Sequence, residues 1–502
     1  MTRELFGNFS ISSWGVYEHF SEKEYREAIN MVCDPIPNRM GHSPKLHQLI
    51  IPKNILQHNC KIIRAREHEW THFRQHISTE LGIFTHRLVT AQEWAASEYF
   101  KHLNTSNIDY TNVPFLVRFH SLASRKNSLN QAEKYELAFL NFWQLSDIMQ
   151  GVLWVKKMNM KDLIYVWNSI IKTLPNIQKD FLLNNHSECN LRTRRSLDDE
   201  SCPDGSITIQ ALVEGFAKYK EFYGLASLFG VEIAFETIEP SLLDIYKTAS
   251  DFIEYYLDIP FYHPLSGALI EVALLCFRDP FLGKETEVLY WEDIHPGFRF
   301  QEAVLQLAKR IRSIPNNSSD CYDMAIEAYK LSNDYPPFRN WLDISDLKYI
   351  PFRKLKIEKD ISPSQILKIG HEFLETMFIS ASQLRKDYPI IFFEHSTAPF
   401  EVQQNYAAVT RPPLIIGPKS IEICKGAERD TSIGILTLKA AIHASILNEL
   451  PREATLSNCV ELANKSITSY PSTIIKTMWT DLRKDVESVC GKCIQLYIDE
   501  IL

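Results

Sequence analysis

The stretch from Cys60 to about Thr79 constrains this chain most, because a packing pattern and a chemical pattern are laid on the same helix. Its apolar residues Ile63, Trp70, Phe73 and Ile77 recur at spacings of 7, 3 and 4, as on a helix with one buried stripe. At about 100° per residue, His68 and His72 straddle the direction opposite that stripe, with Glu69 and His76 to one side. The spacing predicts a helix over 61–82, closed by Gly82. It is anchored by its aromatic face and carries His-Glu-x-x-His away from that anchor.

The remainder of the chain reads as helix around this element. A length of 502 residues exceeds what one hydrophobic core usually serves, so two to four structural units are expected. Ser21 with Glu24 forms a capping box for a short helix to Cys33. Leu46 to Pro52 reads as a short strand. Helical patterns follow over Ile83–Leu103, Asn130–Met158, Lys161–Leu174, Ile207–Phe229, Pro240–Leu257, Pro264–Phe277, Phe298–Ile314 and Ser318–Ser332. Residues 184–205 are polar and charged, as in an exposed loop. The irregular stretch from Asn333 to Ser362 is the best boundary, dividing 1–332 from a C-terminal α+β region, 333–502. That second region opens with a helix over Ser362–Arg385. Its short strands are expected at Ile390–Phe393, Leu414–Gly417, Ser420–Cys424 and Ile433–Leu438, followed by helix at Ala440–Leu450 and Ser472–Leu502. The fold class is therefore mainly α with minor β.

Composition excludes several classes of function. A formal charge of −8 and a pI near 6.1 give no general attraction to nucleic acid or anionic lipid. The apolar run Leu265–Phe277, broken by Ser266 and Glu271, is too short to cross a bilayer and reads as a core helix. No membrane insertion is expected. The first residues lack the apolar core of a secretory signal, and the ten cysteines are scattered, which together predict a cytoplasmic protein with reduced thiols. Cys490 and Cys493 form a lone CxxC, half of what a zinc ribbon needs. There is no P-loop, no GxGxxG after a strand and no GxSxG elbow.

His-Glu-x-x-His is the motif with chemistry attached. Two imidazoles one helical turn apart can give a metal two ligands, and zinc hydrolases add a third ligand and leave a position for water, whose pKa falls to about 7. Glu69 can then act as general base and pass the proton to a leaving nitrogen. Candidates for the third ligand are His76, Glu93, Glu98 and Glu214. His76 would need the chain to bend first, and no Gly follows His72 to allow it. Glu93 has 20 residues between it and His72. Glu214, in Val213-Glu214-Gly215-Phe216-Ala217, is the strongest, because Gly215 inside a helix costs about 1 kcal/mol relative to Ala and suits a close helix approach. Tyr219, Tyr223, His263 and His295 could donate to a developing oxyanion, although the tyrosines fit a core stripe and His263 a helix start.

Glu214-Gly215-Phe216-Ala217, taken with His68-Glu69-Trp70-Thr71-His72, resembles the metal-binding segments of aminopeptidase-type gluzincins, the HExxH-plus-Glu zinc metallopeptidases. The resemblance covers two helices, 61–82 and 207–223. It implies a zincin-like helical metallohydrolase core in 1–332, Zn2+ held by His68, His72 and Glu214, Glu69 as catalytic base, and a peptide or protein substrate. The chain departs from the family in spacing, since 141 residues separate His72 from Glu214, and the exopeptidase substrate motif is missing. Two other readings stand beside it. One is a helical interaction or scaffold protein, or an inactive metallopeptidase-like chain, whose motif does no chemistry. The other is a metal hydrolase acting on a non-peptide bond.

Overall fold

The computed structural model describes residues 7–10, 15–18, 22–33, 53–85, 121–130, 190–192, 207–242, 245–277, 288–290, 295–332, 377–412, 414–416 and 421–423, with single positions at 133, 134 and 137. These residues are mostly helical, as expected. The helices are α1 (Glu22–Cys33), α2 (Lys53–Ser78), α3 (Ile209–Phe229), α4 (Val231–Ile238), α5 (Ile245–Leu257), α6 (Pro264–Leu275), α7 (Pro296–Arg310), α8 (Ser318–Ser332) and, after a helical stretch at 377–387, α9 (Phe400–Val409). Strands β1 (Gly7–Ser10), β2 (Gly15–Glu18), β5 (Leu414–Ile416) and β6 (Ile421–Ile423) make one mixed sheet in the order β1-β2-β5-β6, in which only β2 and β5 run parallel. Strands β3 (Asn190–Arg192) and β4 (Val288–Tyr290) pair in parallel.

Helix α3 is the hub, packing against α1, α2, α4, α5, α6 and α7. Thr208 starts it: its hydroxyl accepts from the Ala211 N–H at 3.1 Å, a cap worth about 1 kcal/mol. Gly230, at φ 91°, turns the chain from α3 into α4, a conformation that favours glycine. Helix α6 is buried along its whole length from Leu265 to Leu275, which accounts for the largely apolar run there. No helix among the described residues is long and apolar enough to cross a membrane.

Helix α2 differs from expectation in length and surroundings. It begins at Lys53 and ends at Ser78, and Gly82 lies in a further helical turn, 80–85, instead of closing the helix. The Gly82 N–H donates to the Thr79 hydroxyl at 3.0 Å, and a Cβ on Gly82 would lie 1.7 Å from the His76 carbonyl oxygen, so this glycine permits a tight fold-back. The apolar stripe is shared between two cores. Ile63 packs with Ala28, Phe222, Leu225 and Ile238. Phe73 and Ile77 pack with Phe378, Leu384, Phe392 and Tyr406. The described part of the region after 333 thus shares a core with α2.

Other differences have local causes. Ile390–Phe393 is a succession of turns after Pro389, not a strand, because its N–H groups bond within the segment, Ile391 to the Tyr388 carbonyl at 3.0 Å and Phe393 to the Ile390 carbonyl at 2.9 Å. The pattern over Pro240–Leu257 resolves into a short 3-10 turn, Glu239–Ser241, and α5 from Ile245. Of the expected strands, Leu414–Ile416 and Ile421–Ile423 are present. Leu46–Pro52, Ile433–Leu438, the helices expected over 86–103 and 138–174, and Cys490 with Cys493 lie outside the described residues.

Candidate metal centre

His68 and His72, one turn apart on α2, face α3 and not solvent. Their rings meet edge to face with centroids 4.5 Å apart and planes at 89°, which brings the two Nε2 atoms to 3.0 Å. Glu214 projects from the second turn of α3 into the same point. Its Oε2 lies 3.1 Å from His68 Nε2 and 3.4 Å from His72 Nε2. Ligand atoms about 2.0–2.1 Å from a tetrahedral ion stand roughly 3.3 Å from one another, so the three separations fit one ion. Among the described residues no other three His, Cys, Asp or Glu side chains are grouped this way.

The outer edges of both imidazoles are occupied. His68 Nδ1 lies 2.6 Å from Glu221 Oε1. Glu221 sits two turns after Glu214 on the same face of α3, almost wholly buried, and also accepts from Arg64 Nε at 2.5 Å and Lys218 Nζ at 2.6 Å. His72 Nδ1 lies 3.1 Å from Gln75 Oε1, and the Gln75 amide is held in turn by the Val213 carbonyl at 3.3 Å. Each acceptor suits a proton on Nδ1 and so leaves the inward Nε2 as the atom available to a metal. Glu214 Oε2 is buried and receives no hydrogen bond of acceptable geometry. Three electron-pair donors therefore converge where a cation is the matching partner.

Without a metal, the same carboxylates favour a second proton on His68, which a bound cation would displace. Burial works against a charged His68, but hydrogen bonds to Glu214 and Glu221 outweigh it and raise its pKa to about 10. Burial would also raise the pKa of Glu214, but His72 and His68 hold it well below the usual carboxylate range. Glu221 is brought down to about 2, because Lys218, His68 and Arg64 outweigh its burial.

Glu69 is buried, at 6% exposure, on the turn between the two histidines. Its charge, with those of Glu214 and Glu221, adds to burial in lifting the Tyr246 phenol to about 12. Tyr246, on α5, stands with its ring 6.1 Å from that of His68 and covers the Lys218 ammonium at 4.7 Å. The other sequence candidates go elsewhere. His76 is buried beside Phe378, with ring centroids 5.5 Å apart, and lies outside the cluster. His263 and His295 cap α6 and α7, each accepting a backbone N–H at Nδ1 at 3.1 Å. Tyr219 is stacked on Phe393. Glu93 and Glu98 lie outside the described residues.

Gly215 corrects one step of the sequence argument. A Cβ there would meet Ile270 Cδ1 at 3.6 Å and Ala249 Cβ at 3.7 Å, ordinary contact, so the helix approach does not demand glycine. Sequence reasoning assigned no role to Glu221, Gln75 or Tyr246. The first two carried a signal: Glu221 follows Glu214 by seven residues and Gln75 follows His72 by three, spacings that share a helix face. Tyr246 carried none.

Comparison with protein-family models, with curated proteins and with solved structures gives no match.

Proposed function

We propose that this chain is a zinc-dependent hydrolase, a metallopeptidase of the gluzincin type with a zincin-like core, acting on a peptide or protein substrate. The observation that carries the reading is the convergence of His68, His72 and Glu214 from two helices, with 141 residues between His72 and Glu214 in sequence and both histidines oriented from behind. Structural zinc sites are normally closed by four protein ligands, whereas three ligands are the complement of a catalytic site.

Held by these three residues, zinc would supply Lewis acidity to the attacking water and the scissile carbonyl. His68 and His72 contribute neutral nitrogen donors, and Glu221 and Gln75 keep their Nε2 atoms turned inward. Glu214 contributes the single negative charge of the ligand set. Glu69 receives the proton of the attacking water and returns it to the departing amine. The same donor set occurs in ferrous 2-His-1-carboxylate sites, but a buried carboxylate next to the first histidine suits a hydrolytic base.

Metal analysis of freshly purified full-length protein tests the reading, with about one equivalent of zinc expected. Glu69→Gln should keep the metal and lose hydrolysis of a peptide library, whereas His68→Ala with His72→Ala should lose both. Protein free of zinc would remove the proposal in favour of a helical interaction protein. One equivalent of iron would point to oxidative chemistry, and zinc without peptide cleavage to hydrolysis of another bond.

A further inference from the structure

We propose that Lys220 and Glu271 are joined through one buried water, held in a cleft between α2, α3, α6 and the 377–387 helix. The cleft is lined by Gln75, Ser78, Lys220, Glu271 and Arg385 among others, and about 10 Å³ of it is open to the centre of a water molecule, roughly what one water needs.

The two charged groups are each short of a partner. Lys220 is buried on α3, and its ammonium donates to the Phe393 carbonyl at 2.9 Å. No carboxylate among the described residues stands within ion-pair distance of it. Glu271 is buried on α6. Its Oε1 accepts from Arg385 Nη1 at 2.8 Å, while its buried Oε2 receives no hydrogen bond. Lys220 and Glu271 feel each other's charge without touching. A buried ammonium and a buried carboxylate left in this state are costly.

The occupant must accept from Lys220 and donate to Glu271, which water alone does at this size. An anion would meet the bare carboxylate oxygen, and a metal ion would meet Lys220, Arg385 and Arg74. The bridge has a consequence for the fold. Through Lys220 it fastens α3 to α6, and through Arg385, whose Nη2 donates to Ser78 Oγ at 2.9 Å, it reaches the end of α2. The mutual approach of α2 and α3 thus has a polar lock independent of any metal.

A crystal structure of the full chain at a resolution that shows ordered solvent is the test, with a second crystal soaked in sodium bromide. The expected result is one water within hydrogen-bond distance of Lys220 Nζ and Glu271 Oε2, and no anomalous peak there. A bromide peak in the cleft, a dry cleft, or a direct Lys220–Glu271 contact overturns the proposal. In solution, Lys220→Met, Glu271→Gln and the double variant form a cycle. The double variant's unfolding constant should depart from the product of the single effects by at least about twofold, and a plain product would also overturn it.

Discussion

His68 Nδ1 and Glu221 Oε1 stand 2.6 Å apart, so the helix that supplies the third candidate ligand also grips the back of the first. A carboxylate behind a ligating imidazole fixes ring orientation and raises donor strength, and its loss typically costs 10–100-fold in metal affinity. Glu221→Gln should weaken zinc binding by about that factor. It should also destabilise the protein by roughly 3–5 kcal/mol, because Arg64 and Lys218 lose a buried counter-charge. Zinc titration against a competing chelator and urea unfolding measure the two effects. Unchanged affinity would show that Glu221 serves packing alone.

Glu214 and Glu93 separate two versions of the site. With Glu214 as ligand, Glu214→Gln should reduce bound zinc below about a tenth of an equivalent after dialysis, and Glu93→Gln should leave one equivalent. Metal analysis of the two variants side by side decides between them, and the reverse result would transfer the ligand role to Glu93.

Two glycines should respond in opposite ways. Gly215→Ala meets only ordinary contacts and restores helix propensity, so it should be neutral or stabilise by up to about 1 kcal/mol. Gly297→Ala would put a Cβ 1.8 Å from the Ile207 carbonyl oxygen. A backbone atom cannot yield cheaply, and a loss of about 3 kcal/mol or more is expected. Denaturant midpoints of both variants provide the comparison.

Acid should destabilise the fold beginning near pH 6.5. Burial lowers the pKa of His76 and of His295 to about 3, while an unfolded histidine titrates near 6.5. Between those values the unfolded chain binds more protons than the folded one, so stability falls as pH falls, by up to about 1.4 kcal/mol per pH unit for each group. Melting temperatures from pH 6.5 to 4.5 should decline accordingly. His295→Asn, which can still cap α7, should flatten the decline, and an unaltered slope would contradict the assignment.

The sequence by itself determined local features: that the described stretches around His68, Glu214 and Leu265 are helical, that His263 and Pro264 start a helix, and that His68 and His72 share one face of α2. These follow from period, cap and composition, which act over a few residues. It also singled out Glu214, through a short resemblance and a glycine argument that the contacts of Gly215 do not support. Only the tertiary structure decided that the histidine face meets α3, that Glu221 and Gln75 stand behind the two rings, and that Tyr246 closes over Lys218. It also converted Ile390–Phe393 from an expected strand into buried turns. Each of these depends on which helix lies opposite which, a choice set by burial summed across residues more than a hundred positions apart, which no local pattern encodes.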